Sequence, residues 1–391
     1  MLDIRLGDCR EVMAQGEPGS VDAIVTDPPY GLSFMGKGWD HGVPGPAFWA
    51  EALRVVKPGA HLVAFGGTRT FHRLTCAIED AGWEIRDCLM WLYGSGFPKS
   101  LDVSKAIDRA AGAERPVVGM KRKSTASMAP GEGPFSDDSY EWKPEFPVTG
   151  AATDAARQWC GWGTALKPAW EPIILARKPL AGTVAANVQE HGTGALNVDG
   201  CRIKGRKREM KPSGYSRAGR PEWRTPGATG TGRETDVGRW PANLVLDEEA
   251  AAMLDEQSGE LTSGANPGRR GTDKFRGVFH AYPGQRCDPV RGADSGGASR
   301  FFYTAKAASG ERHYAGKNTH PTVKPVDLMQ WLCRLVTPPN GLILDPFCGS
   351  GSTGVAALAE GFRFIGIEID PAYVELARRR IAGPLFAEAR S

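Results

Sequence analysis

Val21-Asp22-Ala23-Ile24-Val25-Thr26-Asp27-Pro28-Pro29-Tyr30-Gly31 is the stretch on which the fold of this chain turns. Val21 to Val25 is short, mostly apolar and β-branched, with Gly19-Ser20 ahead of it, and predicts a buried strand. Asp27 to Tyr30 then falls where a strand ends and a loop begins, the place where ligands sit in an open α/β sheet. Two consecutive prolines fix φ twice and remove two backbone donors. The loop that remains is stiff. It presents one carboxylate, carbonyl oxygens and an aromatic face. Such a surface suits a flat group bearing an NH2, whose N–H bonds can go to the Asp27 carboxylate and the Pro28 carbonyl while its ring stacks on Tyr30. The same four residues also read as a proline-rich turn at a strand end, so the rest of the chain has to decide.

Around this point strands and helices alternate. Leu2 to Leu6 reads as a strand stopped by Gly7-Asp8, and Cys9 to Ala14 as a short helix. Pro46 to Val56 carries Phe48, Trp49, Leu53 and Val56 at helical spacing, with Lys57-Pro58-Gly59 as the stop. His61 to Phe65 is the next strand, Phe71 to Ala81 the next helix, and Trp83 to Tyr93 a third strand. This order predicts an α/β fold: a doubly wound, mostly parallel sheet of Rossmann-like type. Glu171 to Arg177 reads as one more strand, expected antiparallel against Trp83 to Tyr93, which makes residues 95–169 a long excursion.

Near the C-terminus, Pro325 opens a helix over Val326 to Val336. Gly341 to Asp345 is a strand, followed at once by Pro346-Phe347-Cys348-Gly349-Ser350-Gly351-Ser352-Thr353-Gly354 and a helix over Val355 to Glu360. A strand over Phe364 to Ile367 ends in Glu368, and Ala372 to Ile381 is the last helix. Gly349, Gly351 and Gly354 spell G-x-G-x-x-G between strand and helix. That pattern holds a pyrophosphate in dinucleotide folds, fits S-adenosylmethionine, and also occurs as a plain turn. Asp345 before the loop would repel a pyrophosphate but suits the ammonium of a methionine moiety. Glu368 can accept from both ribose hydroxyls of either ligand. No P-loop pattern is present.

Composition narrows the classes. With 391 residues, 41% of them hydrophobic, the chain can bury a large core and form two or three domains. A net charge of +3 gives no global basic field, so any nucleic-acid surface has to be local. None of the eight cysteines forms a C-x-x-C pair, which argues against a zinc ribbon, and their scatter suits reduced thiols in a cytosol. No apolar run approaches the ~20 residues of a membrane span, and Met1 to Arg5 lacks a signal peptide's core. Between Arg202 and Arg239 there are eleven Lys or Arg against four Asp or Glu, an excess of seven. Tyr215, Trp223 and Trp240 lie among or beside them. This stretch reads either as a solvated insertion or as a nucleic-acid surface, with Arg202, Lys204, Arg206, Lys207, Arg208, Arg217 and Arg220 as the DNA-binding candidates.

Taken together, Asp27-Pro28-Pro29-Tyr30, Asp345-Pro346-Phe347-Cys348-Gly349-Ser350-Gly351 and His320-Pro321-Thr322-Val323-Lys324-Pro325 resemble the motifs of amino-group DNA methyltransferases. The catalytic motif precedes the cofactor loop across a long insertion, which is similar to the permuted β class, and the layout resembles phage- and prophage-associated methylases. The resemblance covers about 1–110 and 315–391. It implies S-adenosylmethionine as cofactor and transfer of its methyl group to the exocyclic nitrogen of a flipped adenine. Cytosine is the alternative base, and Asp rather than Ser at position 27 leans towards adenine in this family. By the same resemblance Asp27, Pro28, Pro29 and Tyr30 are catalytic. Asp8, Lys324, Asp345, Phe347, Gly349, Gly351, Thr353 and Glu368 would bind the cofactor, with Asp8 at its adenine and Lys324 at its carboxylate. Residues 1–111 and 315–391, with strand 170–178, would form the catalytic domain. Residues 112–169 would be an insertion, and 180–314 the target-recognition region. Double-stranded DNA is the implied partner, in a bacterial or phage-encoded cytoplasmic setting. The resemblance also admits a homodimer and a cognate restriction endonuclease, and no membrane. Carbon-5 cytosine methylation needs a Pro-Cys nucleophile, which this chain lacks. A DNA-binding module without catalysis and an NAD-dependent oxidoreductase remain as other classes, and the second leaves the Asp27 loop unexplained.

Overall fold

A computed structural model describes residues 2–32, 42–96, 98, 100–122, 145–203, 208–209, 234–235, 238–263, 294–306 and 323–383. The chain divides into two compact units, Met1–Gly94 with Trp170–Ser391, and Ser95–Ala169.

The larger unit is built on one sheet. Its strands are β1 (Leu2–Leu6), β2 (Val21–Thr26), β3 (Val56–Phe65), β4 (Glu84–Leu92), β5 (Trp170–Arg177), β6 (Leu244–Asp247), β7 (Tyr303–Ala305), β8 (Leu342–Asp345) and β9 (Arg363–Glu368). Their order across the sheet is β1-β9-β8-β2-β3-β5-β4-β6-β7. β5 runs antiparallel to β4, as its sequence led us to expect, and also to β3 on its other side, and every other pair in this sheet is parallel.

Both faces of the sheet are covered. Along β2 and β3, Ala23, Val25, Val63 and Phe65 enter one apolar layer, and Ile24, Leu62 and Ala64 the other. Helices α1 (Cys9–Ala14), α2 (Pro46–Val55) and α3 (Phe71–Asp80) supply the second layer through Met13, Trp49 and Leu74. The first is closed by α4 (Val326–Val336), α5 (Ser352–Ala359) and α6 (Pro371–Ala382), through Leu332, Ala356 and Ala377. Burial on both sides is why β2 and β8 read as continuous rather than alternating apolar runs.

Two boundaries differ from the sequence reading. Lys57-Pro58-Gly59 does not form a loop after α2, because β3 begins at Val56 and runs through it. The pairing slips between Val21↔Val56 and Ala23↔His61, so the proline sits in an irregular bulge, where a missing donor does little harm. Lys57 is tied to Asp22 at 2.6 Å, and the Pro58 carbonyl accepts from Asn187 Nδ2 at 2.9 Å. Helix α5 starts at Ser352, three residues earlier than its apolar pattern indicates, directly after Gly351 at φ +83°. β6 and β7 lie within the polar stretch 180–314 and were not foreseen as strands.

The smaller unit contains a helix over Val103–Ala110, an antiparallel pair over Val117–Arg122 and Glu145–Thr149, and a short helix over Asp154–Gln158. Its hub is the buried Asp108, which accepts from Arg115 and from the backbone N–H groups of Ala152 and Thr153.

Candidate active site

In a parallel sheet the loops that follow neighbouring strands emerge at one edge. β2 and β8 are neighbours, although 316 positions separate Thr26 from Leu342, so the Asp27 loop and the glycine loop emerge side by side. A direct hydrogen bond joins them: Thr26 Oγ1 donates to Asp345 Oδ1 at 2.7 Å. One cavity is lined from one side by Asp27, Pro28, Pro29 and Tyr30, and from the other by Asp345, Phe347, Gly349, Thr353 and Glu368. The two motifs therefore share a rim.

Asp345 is the hub of the cofactor-loop side. It is 2% exposed. Besides Thr26, it accepts from Thr353 Oγ1 at 2.6 Å and from Phe347 N at 3.1 Å. Burial pushes its carboxyl up to about 6, against the pull of the Thr353 and Thr26 hydroxyls. Glu368 is held through backbone: Gly349 N donates to Oε2 at 2.8 Å and Asp370 N to Oε1 at 2.9 Å. Each oxygen keeps a further lone pair for an incoming hydroxyl. Gly354 lies where α5 meets β9 and α6, and a Cβ there would come within 2.5 Å of Ile381 and 2.8 Å of Phe364. Phe347 stacks on Phe48, with ring centroids 4.7 Å apart and planes at 22°. A second pocket alongside is lined by Asp8, Pro29, Phe48 and Phe347. Asp8 caps α1 by accepting from Arg10 N at 2.8 Å, and the Arg10 side chain holds its carboxyl below the usual range.

The other side is a closed polar cluster. Tyr30 Oη lies 2.9 Å from Asp27 Oδ1 and 2.9 Å from Glu171 Oε2. Lys324 Nζ lies 2.9 Å from Asp27 Oδ2, 3.1 Å from Glu171 Oε2 and 3.1 Å from Tyr30 Oη. An ammonium has three N–H bonds, and these three acceptors take one each. Burial works against the charge on Lys324, but Asp27 and Glu171 outweigh it and raise the ammonium above its ordinary range. Burial, with the charges of Asp27 and Glu171, raises the Tyr30 hydroxyl well above its own. The tyrosine is also fixed from behind. Thr70 Oγ1 donates to its carbonyl at 2.6 Å, and a Cβ on Gly67 would stand 3.2 Å from its ring.

Lys324, expected at the cofactor carboxylate, thus directs its donors at the Asp27 cluster. Glu171 is a site residue that sequence reading passed over. The signal was available: an antiparallel strand brings its first residues, not its last, to the edge where the parallel strands end. Phe65, at the end of β3, pairs with Ile173 near the start of β5, and Glu171 is two residues before it.

Of the DNA-binding candidates, Lys204, Arg206, Lys207, Arg217 and Arg220 lie outside the described residues. Arg208 is described only in its backbone, in a two-residue strand paired with Glu234–Thr235. Arg202 is engaged within the chain. Its Nε donates to Asp199 at 2.7 Å, its Nη1 to the Gly238 carbonyl at 3.2 Å, and its guanidinium lies 5.2 Å from the centre of the exposed Trp240 ring. Among the described residues no cluster of His, Cys, Asp and Glu could hold a metal ion, and no helix is long and apolar enough to cross a membrane.

A family model described as DNA methylase matches residues 21–379. Type II methyltransferase M2.DpnII of Streptococcus pneumoniae is 37% identical over 94 residues, 24% of this chain and 34% of the relative. DNA adenine methyltransferase YhdJ of Escherichia coli (strain K12) is 44% identical over 62 residues, 16% of this chain and 21% of the relative. The matched segments thus span about a third or less of these relatives' own length. Among solved structures, the M1.HpyAVI–SAM complex aligns over 98% of this chain at 16% identity, with a TM-score of 0.42, too low to add weight.

Proposed function

This chain belongs to the DNA methylase family, whose model spans most of its length, and we propose that it transfers a methyl group from S-adenosylmethionine to the exocyclic amino nitrogen of adenine in DNA. The observation that carries the reading is the shared cavity, with an amine-accepting loop on one wall and a carboxylate-bearing glycine loop on the other.

The residues fit the cofactor. Asp345 and Glu368 are two carboxylates beside the glycine loop. They suit an ammonium and a ribose diol and would repel a pyrophosphate, which sets the dinucleotide reading aside. When bound, S-adenosylmethionine supplies an electrophilic methyl group on a sulfonium. Asp345 would face the ammonium, Glu368 would accept from the ribose hydroxyls, the Gly349–Gly351 backbone would allow close approach, and Phe347 with Asp8 would border the adenine. On the opposite wall Asp27 and the Pro28 carbonyl accept the two N–H bonds of the target amine. That favours a pyramidal nitrogen with its lone pair aimed at the methyl group. Bringing the reacting atoms to about 3–3.5 Å in line supplies much of the acceleration. A base inside a duplex cannot reach this cavity, so it must be extruded, and stacking on Tyr30 at roughly 1–3 kcal/mol offsets part of that cost. Adenine is favoured over cytosine by Asp at position 27. We assign target recognition to residues 180–314 outside β6 and β7, which belong to the sheet, and double-stranded DNA as the partner.

The test is incubation with methyl-labelled S-adenosylmethionine and DNA of mixed sequence, followed by nucleoside analysis. Label in N6-methyladenine is the expected result. N4-methylcytosine would move the assignment to the other base, and label on a ring carbon, or none at all, would end it.

Asp345 gives a pH signature. With its carboxyl up to about 6, it is neutral below that value and loses its attraction for an ammonium. Cofactor affinity, read by calorimetry, is expected to fall as pH is lowered from 8 to 5, by up to about tenfold per unit once below the midpoint. Asp345→Asn should bind weakly and show no such slope.

A further inference from the structure

Counted with two carboxylates, one ammonium and one phenol, the Asp27 cluster has more short oxygen contacts than hydrogens to fill them. Tyr30 Oη stands 2.9 Å from each of two carboxylate oxygens, Asp27 Oδ1 and Glu171 Oε2. A phenol has a single proton and can donate to only one of them. Lys324 does not fill the gap, because one of its N–H groups already points at the tyrosine oxygen and the other two at the carboxylates. One short oxygen–oxygen contact is therefore left without a hydrogen. The charge count agrees. Two carboxylates and one ammonium sum to minus one, and a single added proton makes the cluster neutral. Lys324 is 6% exposed, and the Asp27 and Glu171 side chains are 20% and 22% exposed. The titratable groups beside the cluster are Tyr93, which feels Glu171 and Lys324, and Asp345, which feels Asp27. Neither is hydrogen-bonded to it.

Resting on the reading of the chain as an amino methyltransferase, we propose that the oxygen chain Asp27 Oδ1–Tyr30 Oη–Glu171 Oε2 takes up the proton released by methyl transfer, and that Glu171 is its final holder, reached from Asp27 through the Tyr30 hydroxyl. The bookkeeping is simple. The amine lone pair forms the N–CH3 bond while the S–CH3 bond breaks with its electron pair left on sulfur. The nitrogen, now positively charged, gives one proton to Asp27. Asp27 passes a proton to Tyr30 Oη as the tyrosine's own proton moves to Glu171 Oε2. Both oxygen–oxygen contacts are then hydrogen-bonded, and the proton leaves when the site opens to water. Lys324 keeps its charge throughout and holds the three oxygens in register. Within the cluster only the Asp27 carboxylate touches the amine, beside the Pro28 carbonyl, so Glu171 and Lys324 act through Asp27.

The test is single turnover in weak buffer with an indicator dye, run beside a methylation time course. In the unaltered protein, proton appearance should lag methylation and follow product dissociation. Release in step with methylation would overturn the proposal. In Glu171→Gln and in Tyr30→Phe the lag should vanish, or methylation should slow about tenfold, with no greater loss in the double variant. A full lag at full rate in either variant means that Asp27 keeps the proton by itself, and the relay is wrong. A readout without cofactor or DNA guards against misfolded variants. Among the protonated-carboxyl infrared bands that acidified ligand-free protein gains, Asp345 included, the one missing in Glu171→Gln should be shifted in Tyr30→Phe, where its hydrogen-bond partner is gone, and no shift in Tyr30→Phe would overturn the assignment to Glu171. Absence of any methylated nucleoside from the unaltered protein would instead sink the reading on which the proposal stands.

Discussion

Asp27→Ala is expected to reduce methyl transfer by about 10³-fold or more, the scale of removing a positioned proton acceptor, while cofactor affinity stays within about threefold. The substitution removes the oxygen that receives the amine. It leaves the opposite wall intact, because Asp345 is held by Thr26, Thr353 and the Phe347 amide, and Glu368 by backbone N–H groups. The fold should also survive, since Lys324 keeps Glu171 and Tyr30 as acceptors. Single-turnover methylation and calorimetry with S-adenosylmethionine separate the two effects. Near-normal transfer by this variant would mean that the amine is held elsewhere.

The second large effect is on stability. Lys324→Met removes the cation that, among the described residues, bridges Asp27 and Glu171, and leaves two carboxylates facing each other across a phenol. Breaking a buried ion pair from one side costs about 3–5 kcal/mol, a large share of the 5–15 kcal/mol that a folded protein has in hand. Urea unfolding should shift accordingly. Adding Glu171→Gln in the same chain should return part of the loss, because it removes one of the stranded charges. The pH dependence has a definite sign. The folded-state value of Lys324 lies above its ordinary 10.5, so its contribution is fully present below that value and disappears as pH rises through the folded one. The alkaline loss of stability should be smaller in Lys324→Met than in the parent. Equal stability of the two proteins at pH 7 would show that the ammonium is a bystander.

Much of the fold was legible because burial on both sheet faces leaves a plain mark. Val21 to Val25 and Leu342 to Leu344 are apolar runs ended by an acid and a proline, and both proved to be strands beside the cavity. β5 stood out as one apolar run, Ile173 to Ala176, within an otherwise aperiodic stretch. β6 and β7 were hidden by their length, four and three residues, within a stretch dominated by glycine and charge. At the site, the acids at strand ends were readable from position alone. The environment of Lys324 was not. A lysine one residue before a helix-opening proline looks solvated, and only the sheet order β8-β2-β3-β5 brings Asp27, Glu171 and Lys324 within one hydrogen-bond length.

The adjacency of β2 and β8 also bears on how the chain is made. β2 is an interior strand of the sheet, yet one of its two partners is encoded roughly 300 residues later. At translation rates of about 5–20 residues per second, that partner follows some 15–60 s behind. Throughout that interval the nascent polypeptide carries a hydrophobic strand with a bare edge, the feature most apt to recruit a wrong neighbour. A ribosome that stalls before Leu342 would release an aggregation-prone fragment with the Asp27 loop already synthesised but nothing to dock against.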